Sequence, residues 1–98
     1  MVKNADLDYL FKAILTLKSV DECYLFFEDV CTIKELQSMA QRMQVAKELT
    51  ANKNYLQVYD QTGVSSATIS RVNKCLQYGA GGYKIALERL ASGGNCDE

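Results

Sequence analysis

The sequence predicts an all-α protein made of six helices in one domain. Apolar residues recur at three- and four-residue steps through most of the chain, which is the spacing of a helix face. No segment alternates apolar and polar residues over the length that a strand needs. Asparagine or glycine residues separate several of the periodic stretches. With 98 residues, of which 48% are apolar, the chain has the size of a single domain.

The first half of the chain predicts three helices. The second and third each begin at a capping box, in which Ser or Thr is followed three residues later by Glu. These boxes are Ser19 with Glu22 and Thr32 with Glu35. The third helix is expected to end near Leu49, before two asparagines. The apolar faces are Leu7, Leu10, Phe11, Ile14 and Leu17, then Cys23, Phe26, Phe27 and Val30, then Ile33, Leu36, Met39, Ala40, Met43, Ala46 and Leu49.

The second half predicts two helices around a turn and one helix after it. A fourth helix over 55–61 stops at Gly63, and a fifth begins near Ser65 or Ser66 and ends at Gly79. Gly81 and Gly82 are expected to form a flexible joint before the last helix. That sixth helix covers 83–91, with Ala86, Leu87 and Leu90 facing inward, and 92–98 are expected to be a disordered tail.

The fourth and fifth helices flank their glycine as the helices of a helix-turn-helix do. Val58 before the turn and Val64, Ile69 and Val72 after it match the apolar positions that hold such helices at a steep angle. At 100° per residue, Leu76 lies on the same inward side as Ile69 and Val72. Tyr59 stands where a small residue is usual and Thr62 where an apolar one is usual, so an unusual packing angle is expected.

The outward side of the fifth helix carries small side chains at its start and cationic side chains further along. This shape suits a helix that enters a major groove while it reaches neighbouring phosphates. Hydroxyl groups near the helix start lie beside backbone amides that also favour a phosphate. The predicted DNA-binding residues are Ser65, Ser66, Ala67, Thr68, Ser70, Arg71 and Lys74. The plainer interpretation is a capped surface helix whose cations are solvated.

Charge is distributed unevenly along the chain. Up to Ile33 there are three cations and six acids, which gives −3, and from Lys34 onward there are eight cations and six acids, which gives +2. Between Ser65 and Arg89 four cations accompany one acid, Glu88. Although the net charge is −1, this local basic region can still attract phosphates.

Several other classes of protein are disfavoured. The chain has no histidine, no paired carboxylates and no nucleophile with a base at usable spacing, so an enzyme is not expected. The four cysteines form no CxxC pair, so zinc is not expected, and we predict that three pack as small apolar residues and that Cys96 lies in the tail. No apolar run approaches the roughly 20 residues that span a bilayer, and Asp6 and Asp8 replace a basic signal segment. We therefore expect a cytoplasmic protein that does not bind membranes.

Three stretches of the chain are similar to one known family. "TGVSSATISRVNKCLQYG", "TIKELQSMAQRMQVAKELT" and "GGYK" resemble the tryptophan-repressor-like proteins, specifically the YerC/YecD-type group, and the likeness covers roughly 7–90. The resemblance implies a six-helix tryptophan-repressor-like fold and a sequence-specific DNA-binding transcriptional regulator, expected to be a repressor. It also implies an interlocked homodimer. Two symmetric recognition helices would then bind a near-palindromic operator in double-stranded DNA.

On this resemblance, 1–91 is a single helical domain. It comprises 7–50 as dimerisation and core helices, 55–78 as the helix-turn-helix and 83–91 as the C-terminal helix. The apolar faces of the first two helices suit either a dimer interface or the core of a monomer.

The resemblance also implies a candidate ligand pocket at Thr32, Arg42, Arg71 and Cys75. The two arginines match those that clamp tryptophan in the tryptophan repressor, and Thr32 matches a threonine at the head of the long helix. Other positions differ from the family pattern. Val72 stands where the tryptophan repressor has a glycine, and Cys75 stands where it has a serine. Asp29 and Cys31 stand where it has leucines that line the indole site. A branched side chain fills space that an indole needs, and an acid makes the wall polar. Tryptophan is therefore not expected as a corepressor, and no other cofactor is predicted.

A protein-interaction module is the main alternative function. In that case the exposed Arg71 and Lys74 would bind an acidic partner protein instead of DNA. Duplex affinity that falls steeply with salt would distinguish DNA binding from this alternative.

Overall fold

The computed structural model describes residues 1–93, and in that range the chain forms six α-helices and no strand. The predicted all-α, six-helix fold class is thus confirmed. The helices are α1 (Ala5–Leu15), α2 (Val20–Val30), α3 (Ile33–Thr50), α4 (Tyr55–Thr62), α5 (Ser66–Tyr78) and α6 (Gly82–Ala91). The predicted tail begins at Ser92, whose hydroxyl donates to the Glu88 carbonyl at 2.8 Å, and its residues 94–98 lie outside the described range.

Polar side chains at the helix starts explain where the helices begin. The capping box predicted at Thr32 is formed: its hydroxyl accepts from the Glu35 N–H at 3.1 Å, and the Glu35 carboxylate accepts from the Thr32 N–H at 2.8 Å. The box predicted at Ser19 is only half right. Ser19 accepts from the Glu22 N–H at 3.1 Å, but the Glu22 carboxylate extends one residue further and accepts from the Lys18 N–H at 2.8 Å.

Two predicted helix ends differ from the structure. α1 ends at Leu15, so Leu17 lies beyond the helix, where its N–H still donates to the Ile14 carbonyl at 3.1 Å. α6 begins one residue before its predicted start, because Gly82 already has helical geometry. Gly81, with φ of 93°, is the N-cap of that helix, so the glycine pair forms the helix start and not a separate joint.

The core lies where α3, α4 and α5 meet. Its buried residues are Val45, Ala46, Val58, Val64, Ile69 and Val72. α6 covers one side of this cluster through the partly buried Tyr83 and Leu87. The prediction that Leu90 faces inward is wrong, since 63% of that residue is exposed. Leu90 instead lines an open groove between α3 and α6.

α1 and α2 contribute no buried residue to this core. Phe11 and Val30, which were predicted to lie on apolar faces, are exposed, and Leu15 is 83% exposed. The radius of gyration is 14.7 Å, whereas a compact domain of this size has a value of about 13 Å. The two helices therefore extend away from the core, and a core within one chain does not account for their apolar faces.

The cysteines differ in their exposure. Cys23 and Cys31 are half-buried, in line with the predicted packing. The same prediction is wrong for Cys75, which is exposed because it lies beside the outward side of α5 and not on the side of Ile69 and Val72. Cys96 lies outside the described residues.

Candidate nucleic-acid interface

A left-handed glycine joins α4 to α5. Gly63 has φ of 70° and ψ of 8°, and its N–H donates to the Tyr59 carbonyl at 2.8 Å. Nothing lies within 4 Å of the place where a side chain would begin. The requirement for glycine is therefore set by the backbone conformation and not by space, because residues with a Cβ rarely adopt a positive φ.

The inner faces of the two helices pack as the spacing predicts. Val58 of α4, Val64 of the turn, and Ile69 and Val72 of α5 are all buried. Leu76, one turn further along α5, is partly buried against them. These side chains fix one side of α5 against the core, so its other side must face outward.

The two unusual residues near the turn are not part of the buried cluster. Tyr59 is 52% exposed. The Thr62 hydroxyl donates to the Val58 carbonyl at 2.7 Å and accepts from the Val64 N–H at 3.2 Å. Because both of its hydrogen bonds are local, this polar group is satisfied within the turn.

The outward side of α5 forms a continuous strip, which we call the α5 strip: Ala67, Arg71, Lys74 and Tyr78. At 100° per residue these positions lie within an arc of about 60°, and all four are exposed. Ser70 lies at the edge of the strip and is half-buried. Tyr78, 83% exposed, was not among the predicted site residues. Its spacing of four residues from Lys74 would have indicated it.

The predicted hydroxyl residues at the start of α5 have different surroundings. Ser65 is the N-cap, and its hydroxyl accepts from the Thr68 N–H at 3.3 Å and donates to the Thr68 hydroxyl at 3.2 Å. Ser66 is exposed, and its side chain has no hydrogen-bond partner among residues 1–93. Ser65 and Thr68 therefore shape the helix start, while Ser66 is available to a ligand.

The cations of the α5 strip carry charge that no acidic side chain neutralises within the described chain. Neither Arg71 nor Lys74 has an ion pair or a side-chain hydrogen bond with any of residues 1–93. Lys53 differs, because its ammonium group lies 2.6 Å from the Glu48 carboxylate. The free charges of Arg71 and Lys74 are therefore positioned to bind an anion from outside the chain.

Two of the four residues of the candidate ligand pocket line one groove. Thr32 and Arg42 line an open groove of about 600 Å³ along the first half of α3, and Arg71 and Cys75 are not among its lining residues. The Arg42 guanidinium donates to the Ser38 hydroxyl at 2.9 Å. Hydrogen bonds from the Thr32 N–H and hydroxyl lower the pKa of Glu35, which also lines this groove.

Two of the positions that differ from the family pattern can also be placed. Val72 is buried in the core, while Asp29 is exposed near the end of α2. The branched side chain at position 72 thus fills core space at the centre of α5.

Among residues 1–93, no helix is both long enough and apolar enough to cross a bilayer.

Comparisons with known proteins agree with the fold. The uncharacterized protein YerC of Bacillus subtilis (strain 168) is 49% identical over 89 residues, which are 91% of this chain and 86% of YerC. The crystal structure of a TrpR-like protein from Eubacterium eligens ATCC 27750 superposes with a TM-score of 0.87 at 53% identity, and the match covers 91% of this chain and 92% of that one. A candidate Trp repressor from Staphylococcus aureus gives a TM-score of 0.87 at 47% identity, over 91% and 89% of the two chains.

A family model described as Trp repressor protein matches residues 5–91, nearly the whole described chain. The resemblance inferred from the three sequence stretches is confirmed, and the chain belongs to the Trp repressor protein family.

Proposed function

We propose that this protein is a sequence-specific DNA-binding transcriptional regulator that inserts α5 into the major groove. The observation that carries the proposal is the α5 strip: a small residue and two cations that have no partner in the described chain lie outward on a helix whose opposite side is fixed in the core. Membership of a family named for a repressor supports a regulatory role in place of catalysis.

The order of side chains along α5 assigns their roles. A major groove about 12 Å wide admits a helix, and Ala67 near the helix start allows the backbone to approach base edges closely. Ser70 at the edge of the strip is suited to a hydrogen bond with a base. Arg71 and Lys74, further along, are suited to phosphates. We assign Arg71 to a phosphate in place of a tryptophan carboxylate, because the tryptophan pocket of the family is altered at four positions.

We propose that the protein binds DNA as an interlocked homodimer. α1 and α2 have apolar faces but contribute no buried residue, and Leu15, Tyr24 and Leu25 are largely exposed. Burying apolar surface contributes roughly 25 cal/mol per Å², so a second copy covering both helices would stabilise the protein. Two α5 helices about 34 Å apart would then bind half-sites one turn apart in a near-palindromic operator. Binding at such an operator would repress transcription where it overlaps a promoter.

A selection from a randomised duplex pool tests the DNA-binding proposal. At low salt the protein should retain duplex DNA and enrich a near-palindromic sequence. Substitution of Arg71 or Lys74 by Ala should weaken binding to all sequences, whereas changes at Ala67 or Ser70 should alter the enriched sequence. A protein that retains no duplex at low salt, but retains acidic proteins, would be an interaction module instead.

Mass in solution tests the dimer separately. Sedimentation at micromolar concentration should give twice the mass of the chain, which is 10.9 kDa. A strict monomer would contradict the interlocked arrangement of α1 and α2.

A further inference from the structure

A cluster of three polar side chains links the end of α3, the loop that follows it and the end of α4. The Lys53 ammonium group lies 2.6 Å from the Glu48 carboxylate, and it donates to the Gln61 side-chain carbonyl at 2.9 Å. Glu48 is in the last turn of α3, and Gln61 is in the last turn of α4. One side chain from the loop therefore bridges the ends of two helices. We call these three residues the Lys53 bridge.

The backbone of the loop places Lys53 for this role. Asn52 has φ of 65°, a left-handed conformation that Asn adopts more readily than most residues. The Lys53 N–H then donates to the Glu48 carbonyl at 3.4 Å. Both the backbone and the side chain of Lys53 are thus bound to the same residue of α3.

The Lys53 bridge is partly shielded from water. The Glu48 side chain is 17% exposed and that of Lys53 is 32% exposed. An ion pair on an open surface contributes little, whereas the loss of one partner from a shielded pair leaves a charge with poor solvation. The loss of Lys53 would therefore disturb the last turn of α3 and release the last turn of α4.

We propose that Lys53 is a positioning residue that sets the angle of the α4–α5 unit on α3, and so the direction in which the α5 strip points. This inference rests on the proposed DNA-binding function. Gln61 lies two residues before Gly63, so the bridge fixes α4 next to the turn that leads into α5. The buried contacts of Val58 and Ile69 hold the helices together, and the bridge adds the directional constraint that apolar packing lacks.

Lys53 is itself a cation near the helix-turn-helix, so a direct phosphate contact must be distinguished from positioning. The Lys53→Met variant should bind the duplex selected from the randomised pool about tenfold more weakly, equivalent to about 1.4 kcal/mol, with an unchanged salt slope. If Lys53 instead contacted a phosphate, Lys53→Met would reduce the magnitude of that slope by about 0.9 per chain. Lys53→Arg keeps the positive charge and can donate to both Glu48 and Gln61, so it should retain the affinity of the wild type. Lys84→Met, on the exposed surface of α6, is the matched control and should bind as the wild type does.

Charge exchange provides the decisive comparison. Glu48→Lys and Lys53→Glu should each weaken duplex binding, and the double variant should recover most of the affinity because the pair is restored and the Gln61 amide can donate to a carboxylate. Recovery in the double variant supports the bridge. If the double variant binds no better than the tighter-binding of the two single variants, the inference is overturned.

Thermal unfolding and hydrogen exchange separate this inference from the proposed function. If the wild type binds no duplex, the proposed function fails. The bridge is then judged by two results. The double variant should lose less unfolding free energy than the sum of the losses of Glu48→Lys and Lys53→Glu. Amide exchange in 57–62 should accelerate about tenfold in Lys53→Met but not in Lys84→Met. Additive losses with unchanged exchange would overturn it.

Discussion

Lys74→Ala should reduce the salt dependence of duplex binding by an amount that follows from the structure. Lys74 is exposed on the α5 strip and has no partner among residues 1–93, so its full charge is available to a phosphate. Each neutralised phosphate contributes about −0.9 to the slope of log affinity against log salt. With one such contact in each chain of a dimer, the variant should have a slope smaller in magnitude by about 1.8.

This change in slope has a measurable consequence for affinity. When salt is raised fourfold, the wild type should lose about tenfold more affinity than Lys74→Ala does. The assay is fluorescence anisotropy on the selected duplex at four or more salt concentrations. Lys84→Ala is the control, because it removes the same charge from α6 and should leave the slope unchanged. If the salt slope changes equally in the two variants, the change reflects only the overall electrostatic field of the protein. If the slope of Lys74→Ala is unchanged, Lys74 is not part of the interface.

Three further substitutions test the fold on which the interface depends. Gly63→Ala should destabilise the protein by about 1–2 kcal/mol because φ is positive there, and thermal melts in which it matches the wild type would contradict this. Ile69 is 0% exposed, so Ile69→Ala should lower the free energy of unfolding measured in urea by about 2–5 kcal/mol. A loss below about 1 kcal/mol would exclude Ile69 from the core. Glu35→Gln should lower the melting temperature at neutral pH, and the difference should shrink as the pH falls through the lowered pKa of Glu35.

The sign of the Glu35 effect follows from its pKa. Hydrogen bonds from Thr32 favour the charged carboxylate, so the folded-state pKa lies below the ordinary value of 4.5. The stabilisation is therefore complete above that ordinary value and is lost on acidification. A difference between wild type and variant that stays constant from neutral to acidic pH would show that the charge of Glu35 does not matter.

The parts of the fold that depend on local sequence were predictable. Helical spacing, together with the asparagines and glycines between the periodic stretches, predicted the six helices of residues 1–93, and the Thr32 box and Gly63 marked the start of α3 and the end of α4. The inward side of α5 followed from the positions of Ile69 and Val72 alone. These features could be inferred because each is determined by residues fewer than about five positions apart, within the reach of a single helical turn or turn motif.

Features that depend on distant groups were not predictable in the same way. Spacing suggested that Leu90 faces inward, but residues 1–93 leave it 63% exposed. The Lys53 bridge joins residues of two helices across the loop, a contact that no periodic pattern indicates. The apolar faces of α1 and α2 were recognised, but sequence spacing could not show that the core of the same chain leaves them uncovered.

Chemical probing of guanine N7, which lies in the major groove, tests most directly whether the α5 strip reads DNA. With the selected duplex bound, we predict two protected major-groove stretches with centres about 10 base pairs apart, one for each α5. Protection at both stretches should be lost in the Arg71→Ala, Lys74→Ala double variant at concentrations that saturate the wild type. Saturated binding without any N7 protection would show that α5 does not enter the major groove.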